Sequence, residues 1–178
     1  MIFFDIDCTL LNHEQAEELG AIEFLKNNWE EFNYTFHANE FITLWNNLSK
    51  KYFEKYLAKE LSFLEQRRMR MKDLLGSHLS NDQADKKFNE YVKYYKKNWS
   101  VYEDVIPCLE KLKKQGFQLG IITNGDNDQQ IEKLKTINIH NYFDCIVTSS
   151  KVGASKPNSR IFLEACNQAI VKVENVTI

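Results

Sequence analysis

Two patterns of hydrophobic and polar residues run along this chain of 178 residues. Short apolar runs bounded by polar residues or glycine predict buried β-strands within residues 1–11, 117–122 and 143–148, and the start of a further strand at 176–178. Longer stretches with apolar residues three or four positions apart predict amphipathic helices. The two patterns occupy different parts of the sequence, which indicates two structural regions.

Residues 13–99 are predicted to be almost entirely helical, because this stretch has no proline and no glycine between Ala21 and Leu75. Ser80 and Gln83 form a capping-box pattern at the start of one helix. Two apolar stripes have helical spacing and predict the core of a small helical bundle: Phe41, Leu44, Trp45, Leu48, Tyr52 and Tyr56, then Phe88, Tyr91, Val92, Tyr95 and Trp99.

After about Val101, strands and helices alternate. One helix is predicted through Pro107 and is expected to end at Gly116, and Asn127 or Asp128 is expected to cap the next. A third helix should follow Lys156-Pro157. This alternation predicts an α/β fold with a doubly wound parallel sheet. We therefore expect a Rossmann-like core from residues 1–12 and 101–178, with residues 13–100 inserted as a helical cap over the carboxyl edge of the sheet.

Composition excludes several classes of partner. Lys and Arg number 23 against 25 Asp and Glu, so the chain has no basic excess for a nucleic-acid polymer or a membrane surface. No apolar run approaches the roughly 20 residues of a membrane span. The chain starts in a strand without a basic and apolar leader, so we expect a cytoplasmic protein. The 4 cysteines form no CxxC pair, and Cys8 lacks an adjacent histidine that would favour a nucleophilic thiol.

The first candidate catalytic residues are Asp5 and Asp7, which directly follow the first apolar run. Acids at the end of a parallel strand lie at the carboxyl edge of the sheet, where open α/β folds bind ligands. Two carboxylates at positions i and i+2 of extended chain point the same way and repel each other. A divalent cation or a shared proton would relieve that repulsion.

Thr123 and Lys156 are expected at the same edge, each after a later strand. Individually they have plainer interpretations: Thr123-Asn124-Gly125 is typical of a turn, a lysine is usually solvated, and the two acids alone would suit a helix-capping loop. Together they supply a nucleophile, a proton source, a hydroxyl and a cation, which phosphoryl transfer requires.

Three strings resemble the first three motifs of the haloacid dehalogenase superfamily: residues 5–10, residues 121–125, and Lys156-Pro157 with Ile161-Phe162. The resemblance spans the whole chain and extends to the subfamily with a helical cap after the first strand. Within it, the strings Ile-Thr-Asn-Gly, Tyr-Phe-Asp and Val-Gly-Ala-Ser-Lys-Pro-Asn look most like those of nucleotidase-like, broad-specificity phosphatases.

The resemblance implies a role for each matching residue. Asp5 would attack phosphorus and become an aspartyl phosphate, while Asp7 would protonate the leaving group and then deprotonate water. Mg²⁺ would be held by the Asp5 carboxylate and the Asp7 backbone carbonyl. Thr123 and the amide of Asn124 would bind phosphate, and Lys156 would offset negative charge. An acid at position 7 disfavours dehalogenation, because a departing halide needs no proton.

The resemblance implies a small phosphorylated metabolite as substrate, with nucleoside monophosphates as one candidate. Arg67, in the basic run of residues 66–70, is a candidate substrate contact, although a solvated helix face is the plainer interpretation of any one arginine in that run. The family's fourth, acidic motif does not follow the last predicted strand, so we expect a shortened chain or a weakly active variant. A non-catalytic binding protein on the same fold, or phosphotransfer to an acceptor other than water, remain alternatives.

Overall fold

Within residues 1–32 and 37–178, which the computed structural model describes, three parallel strands form one sheet. They are β1 (Ile2–Phe4), β2 (Leu119–Thr123) and β3 (Cys145–Thr148), in the order β1-β2-β3. Phe3 is paired with Gly120, and Ile121 with Ile146. Every residue of β2 is buried, as expected for a central parallel strand covered on both faces.

The chain returns to the other side of β1 near its end. The Phe3 amide donates to the Thr177 carbonyl at 2.9 Å, and the Thr177 amide donates to the Met1 carbonyl at 3.1 Å. β1 therefore lies between β2 and the segment around Thr177. Since β2 and β3 are added on one side of β1 and the Thr177 segment on the other, the strand order reverses at β1. Ligands of open α/β folds bind beyond the carboxyl end of the strand at such a switch point.

The contacts between Cα atoms divide the chain into two units: a core unit, Met1–His13 with Trp99–Ile178, and a helical unit, Glu14–Asn98. The helical unit contains most of α1 (His13–Asn27) together with α2 (Ala38–Leu57), α3 (Phe63–Leu75) and α4 (Asn81–Lys97). Ser62 and Ser80 cap α3 and α4 with capping boxes, the second as predicted.

Aromatic residues fill the centre of the helical unit. The rings of Trp45 and Tyr91 have centroids 4.1 Å apart, and Phe24 contacts both. Gly20 lets α1 approach α4 closely, because a Cβ atom there would lie 2.9 Å from the Tyr95 Cα atom. The predicted apolar stripes are thus core packing: four of the six residues of the α2 stripe are buried, namely Phe41, Trp45, Leu48 and Tyr52.

The remaining helices belong to the core unit: α5 (Val105–Lys114), α6 (Asn127–Thr136), α7 (Ser149–Val152) and α8 (Ser159–Gln168). Ile161 and Ala165 of α8 pack against Phe3, Ile122 and Val147 of the three strands. Alternating strands and helices around a parallel sheet, with a helical insertion after β1, confirm the predicted fold class.

Three local predictions were wrong in detail. β2 begins at Leu119 instead of Phe117, whose side chain is exposed, and β3 begins at Cys145 instead of Phe143. α6 is capped by Asp126, whose side chain accepts from the Gln129 amide, instead of by Asn127 or Asp128. Within the described part of the chain, none of the helices has both the length and the apolar character needed to cross a bilayer.

Candidate active site

The loop after β1 holds the two acidic side chains in a tight turn. The Ile6 carbonyl accepts from the amides of Thr9, Leu10 and Leu11, and Cys8 has a positive φ of 62°. The Ile6 amide donates to Asp5 Oδ1 at 2.8 Å. This turn fixes the Asp5 carboxylate directly beyond the end of β1.

Lys156 joins Asp5 from the loop between α7 and α8. Its Nζ atom lies 2.7 Å from Asp5 Oδ2 and donates to the Ile122 carbonyl at 3.0 Å. Asn124 fixes the backbone of Lys156 in both directions: its Oδ1 accepts from the Lys156 amide at 2.7 Å, and its Nδ2 donates to the Lys156 carbonyl at 3.3 Å. The loops that follow β1 and β2 thus meet at Lys156.

Asp7 is held by side chains of α6. Lys133 Nζ lies 2.6 Å from Asp7 Oδ1, and Gln130 Nε2 donates to Asp7 Oδ2 at 3.0 Å. The same Gln130 nitrogen donates to Thr123 Oγ1 at 2.7 Å. Gln130 therefore connects the second acid to the hydroxyl at the end of β2.

The two acids carry their charge in separate surroundings. The Asp5 side chain is 38% exposed, whereas that of Asp7 is 27% exposed and its partner Lys133 only 4%. Burial raises the pKa of Asp7, but attraction from Lys133 and His13 and hydrogen bonds from Lys133 and Gln130 outweigh it, so the pKa is below its ordinary value. The repulsion expected between Asp5 and Asp7 is thus offset by two lysines.

The structure brings four predicted residues to one sheet edge, in two linked pairs: Asp5 with Lys156, and Asp7 with Thr123 through Gln130. Asn124 lies between these pairs. Arg67 belongs to the helical unit, where its guanidinium carbon lies 4.1 Å from the Phe63 ring centroid and 5.1 Å from that of Phe88. Its contact with substrate stays a prediction.

Gln130 and Lys133 were missed by sequence reasoning, although a signal was present. The inner face of α6 has helical spacing and consists of buried residues: Gln130, Lys133, Leu134 and, just past the end of the helix, Ile137. Two polar residues on such a face need buried partners. Their positions thus predicted that each has a buried polar partner, but the sequence did not show which residues those partners are.

The oxygen atoms at this edge suit a magnesium ion that takes few of its ligands from the protein. In the described residues, no three His, Cys, Asp or Glu side chains are grouped closely enough to hold a metal ion between them. The Asp5 carboxylate is partly exposed, and Mg²⁺ often binds one or two protein oxygens together with water and substrate phosphate. Asp126 Oδ1 accepts from the Gln129 amide as the cap of α6.

Comparison with known families gives one match over almost the whole chain. Residues 2–178 match the family model described as haloacid dehalogenase-like hydrolase. The fold agrees with that of YfnB, a HAD-hydrolase from Bacillus subtilis whose structure was solved bound to magnesium. The TM-score is 0.76 at 18% identity, covering 94% of this chain and 72% of that one.

Two of the curated relatives that match at the sequence level illustrate the range of similarity. A glyceraldehyde 3-phosphate phosphatase of Methanopyrus kandleri is 45% identical over 73 residues, which is 41% of this chain and 31% of that protein. The human N-acylneuraminate-9-phosphatase is 27% identical over 179 aligned positions, covering 93% of this chain and 67% of that protein. The chain thus spans about a third of the first relative and two thirds of the second.

Proposed function

The chain belongs to the haloacid dehalogenase-like hydrolases, and on that premise we propose that it is a Mg²⁺-dependent phosphatase of small phosphorylated metabolites. Asp5 is the nucleophile and Asp7 the general acid and base. The observation that carries the proposal is the meeting of Asp5, Lys156, Asp7 and Thr123 at the carboxyl edge of the sheet, at its switch point.

In the first step, an Asp5 oxygen forms a bond to phosphorus while the bond from phosphorus to the leaving oxygen breaks. Asp7 gives a proton to that oxygen. Thr123 and the Asn124 amide donate to phosphate oxygens, and Lys156 offsets the charge gathered on Asp5 and phosphate. A bound Mg²⁺, on the Asp5 carboxylate and the Asp7 carbonyl, would add positive charge beside the same oxygens.

In the second step, Asp7 takes a proton from water, whose oxygen attacks phosphorus and releases Asp5 and inorganic phosphate. The low pKa of Asp7 favours the ionised form that this step needs. The first step needs the protonated form, and the negative charge of an arriving phosphate raises the pKa of Asp7 in that direction. The helical unit, proposed as the cap, would select among leaving groups.

The experiment compares Asp5→Asn with the unchanged 178-residue chain, using 4-nitrophenyl phosphate and Mg²⁺. We expect turnover to fall at least about a thousandfold, because no other group supplies the nucleophile. Thermal unfolding should change little. Asp104→Asn is the matched control, since Asp104 is exposed and makes no side-chain capping bond. Unchanged turnover by Asp5→Asn would exclude the covalent route.

The substrate is to be found with a panel of phosphorylated metabolites. The panel should include glyceraldehyde 3-phosphate and N-acylneuraminate 9-phosphate, the compounds in the names of the two relatives, and nucleoside monophosphates. Each is a phosphomonoester of a small polar molecule, which is the class that the site supports.

A second candidate is a non-catalytic binding protein on the same fold. It is favoured by the lack of a three-carboxylate metal group within residues 1–32 and 37–178. Turnover that rises with Mg²⁺ concentration would exclude this candidate, and phosphate release would separate hydrolysis from transfer to another acceptor.

A further inference from the structure

α6 buries two polar side chains that the proposed reaction does not use directly. Gln130 is 2% exposed and Lys133 3% exposed, on the helix face that also carries Leu134. Lysine is almost never buried this far unless it is paired. We propose that Gln130 and Lys133 are positioning residues that hold Asp7 and Thr123 in one working arrangement, an inference that rests on the proposed phosphatase function.

Lys133 and Gln130 fix the Asp7 carboxylate through different oxygens. Lys133 lies 2.6 Å from Oδ1, and Gln130 donates to Oδ2 at 3.0 Å. With both oxygens bound, the carboxylate cannot rotate about its bond to Cβ without losing a contact. A general acid must present one oxygen within hydrogen-bond reach of the leaving group, so this restraint bears on proton transfer.

Gln130 also determines how Thr123 can hydrogen-bond. Its Nε2 donates to Thr123 Oγ1 at 2.7 Å, so the hydroxyl oxygen already accepts one hydrogen bond. The hydroxyl itself donates to the Asn124 carbonyl over a long distance, 3.4 Å between the two oxygen atoms. It can therefore turn toward a phosphate oxygen, which requires a donor. Gln130 thus orients both the acid and a phosphate-binding hydroxyl.

The start of α6 is itself held firmly against the start of α7. Asp126 caps the helix, the Gly125 amide donates to Ser149 Oγ at 2.9 Å, and the Asn127 amide donates to Ser150 Oγ at 2.9 Å. The position of Gln130 and Lys133 is therefore set by the contacts between the starts of α6 and α7 and not by the loop that carries Asp7. This arrangement suits a fixed support for a side chain on a turn.

The experiment measures kcat and KM of Lys133→Met and Gln130→Met, which keep side-chain length but remove the donors. Two substrates are compared: 4-nitrophenyl phosphate, whose leaving group needs little protonation, and the best alkyl phosphate of the panel. We expect kcat/KM, which reports the step in which the leaving group departs, to fall about a hundredfold on the alkyl phosphate and less than about tenfold on the aryl phosphate. Lys135→Met and Gln129→Met, on the same helix, are the controls.

Equal losses on both substrates, or losses explained by a lowered melting temperature, would overturn the positioning role and leave the phosphatase function standing. If Lys133→Met does not fold, Gln130→Met decides alone, because it leaves the lysine pair with Asp7 intact. A wild-type chain without Mg²⁺-dependent turnover, or full turnover by Asp5→Asn, would instead overturn the phosphatase mechanism and this inference together.

Discussion

Each unit of the chain contains an ion pair whose cation is buried, and the two pairs differ in what surrounds the acid. In the core unit, Asp7 pairs with Lys133 at 2.6 Å, and the acid remains 27% exposed at the sheet edge. In the helical unit, Glu17 pairs with Arg70 at 3.1 Å, and both side chains are nearly enclosed, at 14% and 9% exposure.

The neighbours of the two acids indicate different uses. Glu17 Oε1 also accepts from Trp45 Nε1 at 3.2 Å and Ser49 Oγ at 2.6 Å, and the Arg70 guanidinium carbon lies 4.7 Å from the Trp45 ring centroid. That pair ties α1, α2 and α3 together. Asp7 is instead bound to Gln130 and linked to a threonine hydroxyl, beside a second acid.

On the proposed function, an ion pair with a buried cation does not by itself mark a reactive site. Removing one partner of an enclosed pair leaves an uncompensated charge, which destabilises the fold. Removing Asp7, whose pair opens toward ligand, should also lower stability, because Lys133 is only 4% exposed, but it should change the chemistry as well. Exposure of the acid and the presence of other reactive groups separate the two cases.

The largest effect is expected for Asp7→Asn, in the turnover of alkyl compared with aryl phosphates. Turnover of an alkyl phosphate should fall by about 10²–10⁴-fold, because a poor leaving group depends on proton transfer from Asp7. Turnover of 4-nitrophenyl phosphate should fall less. Steady-state kinetics on both substrates tests this, with Asp128→Asn, an exposed carboxylate of α6, as the control. Equal losses of kcat/KM on both substrates would contradict the role of Asp7 as general acid, because kcat/KM reports the step in which the leaving group departs.

Glu17→Gln should instead act mainly on stability. We expect the free energy of unfolding to fall by about 3 kcal/mol, because Arg70 keeps its charge in a nearly closed site without its carboxylate. Urea denaturation measures the change, and Glu18→Gln, at an exposed position next in sequence, is the control. A loss of stability no larger than that of Glu18→Gln would mean that the enclosed pair is not structural.

A smaller effect is expected from pH in the helical unit. Hydrogen bonds from Arg68 lower the pKa of Asp85, against the opposing effect of burial. Since the folded value lies below the unfolded one, the stabilisation is present above about pH 4 and is lost as the pH falls through the folded pKa.

Melting temperatures between pH 7 and pH 3 test this expectation. Wild type should lose more stability on acidification than Asp85→Asn, which no longer titrates at this position. Asp82→Asn, at an exposed position of the same helix, should lose as much as wild type. Identical pH profiles for wild type and Asp85→Asn would show that the pair with Arg68 contributes nothing to the acid response.

Much of the architecture could be predicted from the sequence, because it depends on local periodicity. Apolar runs ending in acids predicted β1 and its loop, helical spacing predicted the stripe of α2, and Ser80 with Gln83 predicted the start of α4. Element boundaries were less accurate. Asp126 caps α6 where Asn127 or Asp128 was expected, because several adjacent polar residues have similar capping preference.

The sequence by itself determined that acids, a threonine and a lysine follow successive parallel strands, and parallel strands bring their carboxyl ends to one edge. Only the tertiary structure decided that Lys133 and Gln130 hold Asp7, across 126 and 123 positions of chain. It also decided that Arg70 is enclosed beside Glu17 while Arg67 stacks on two rings. Periodicity fixes which face of a helix is buried, but the partner of a buried charge depends on how distant elements pack.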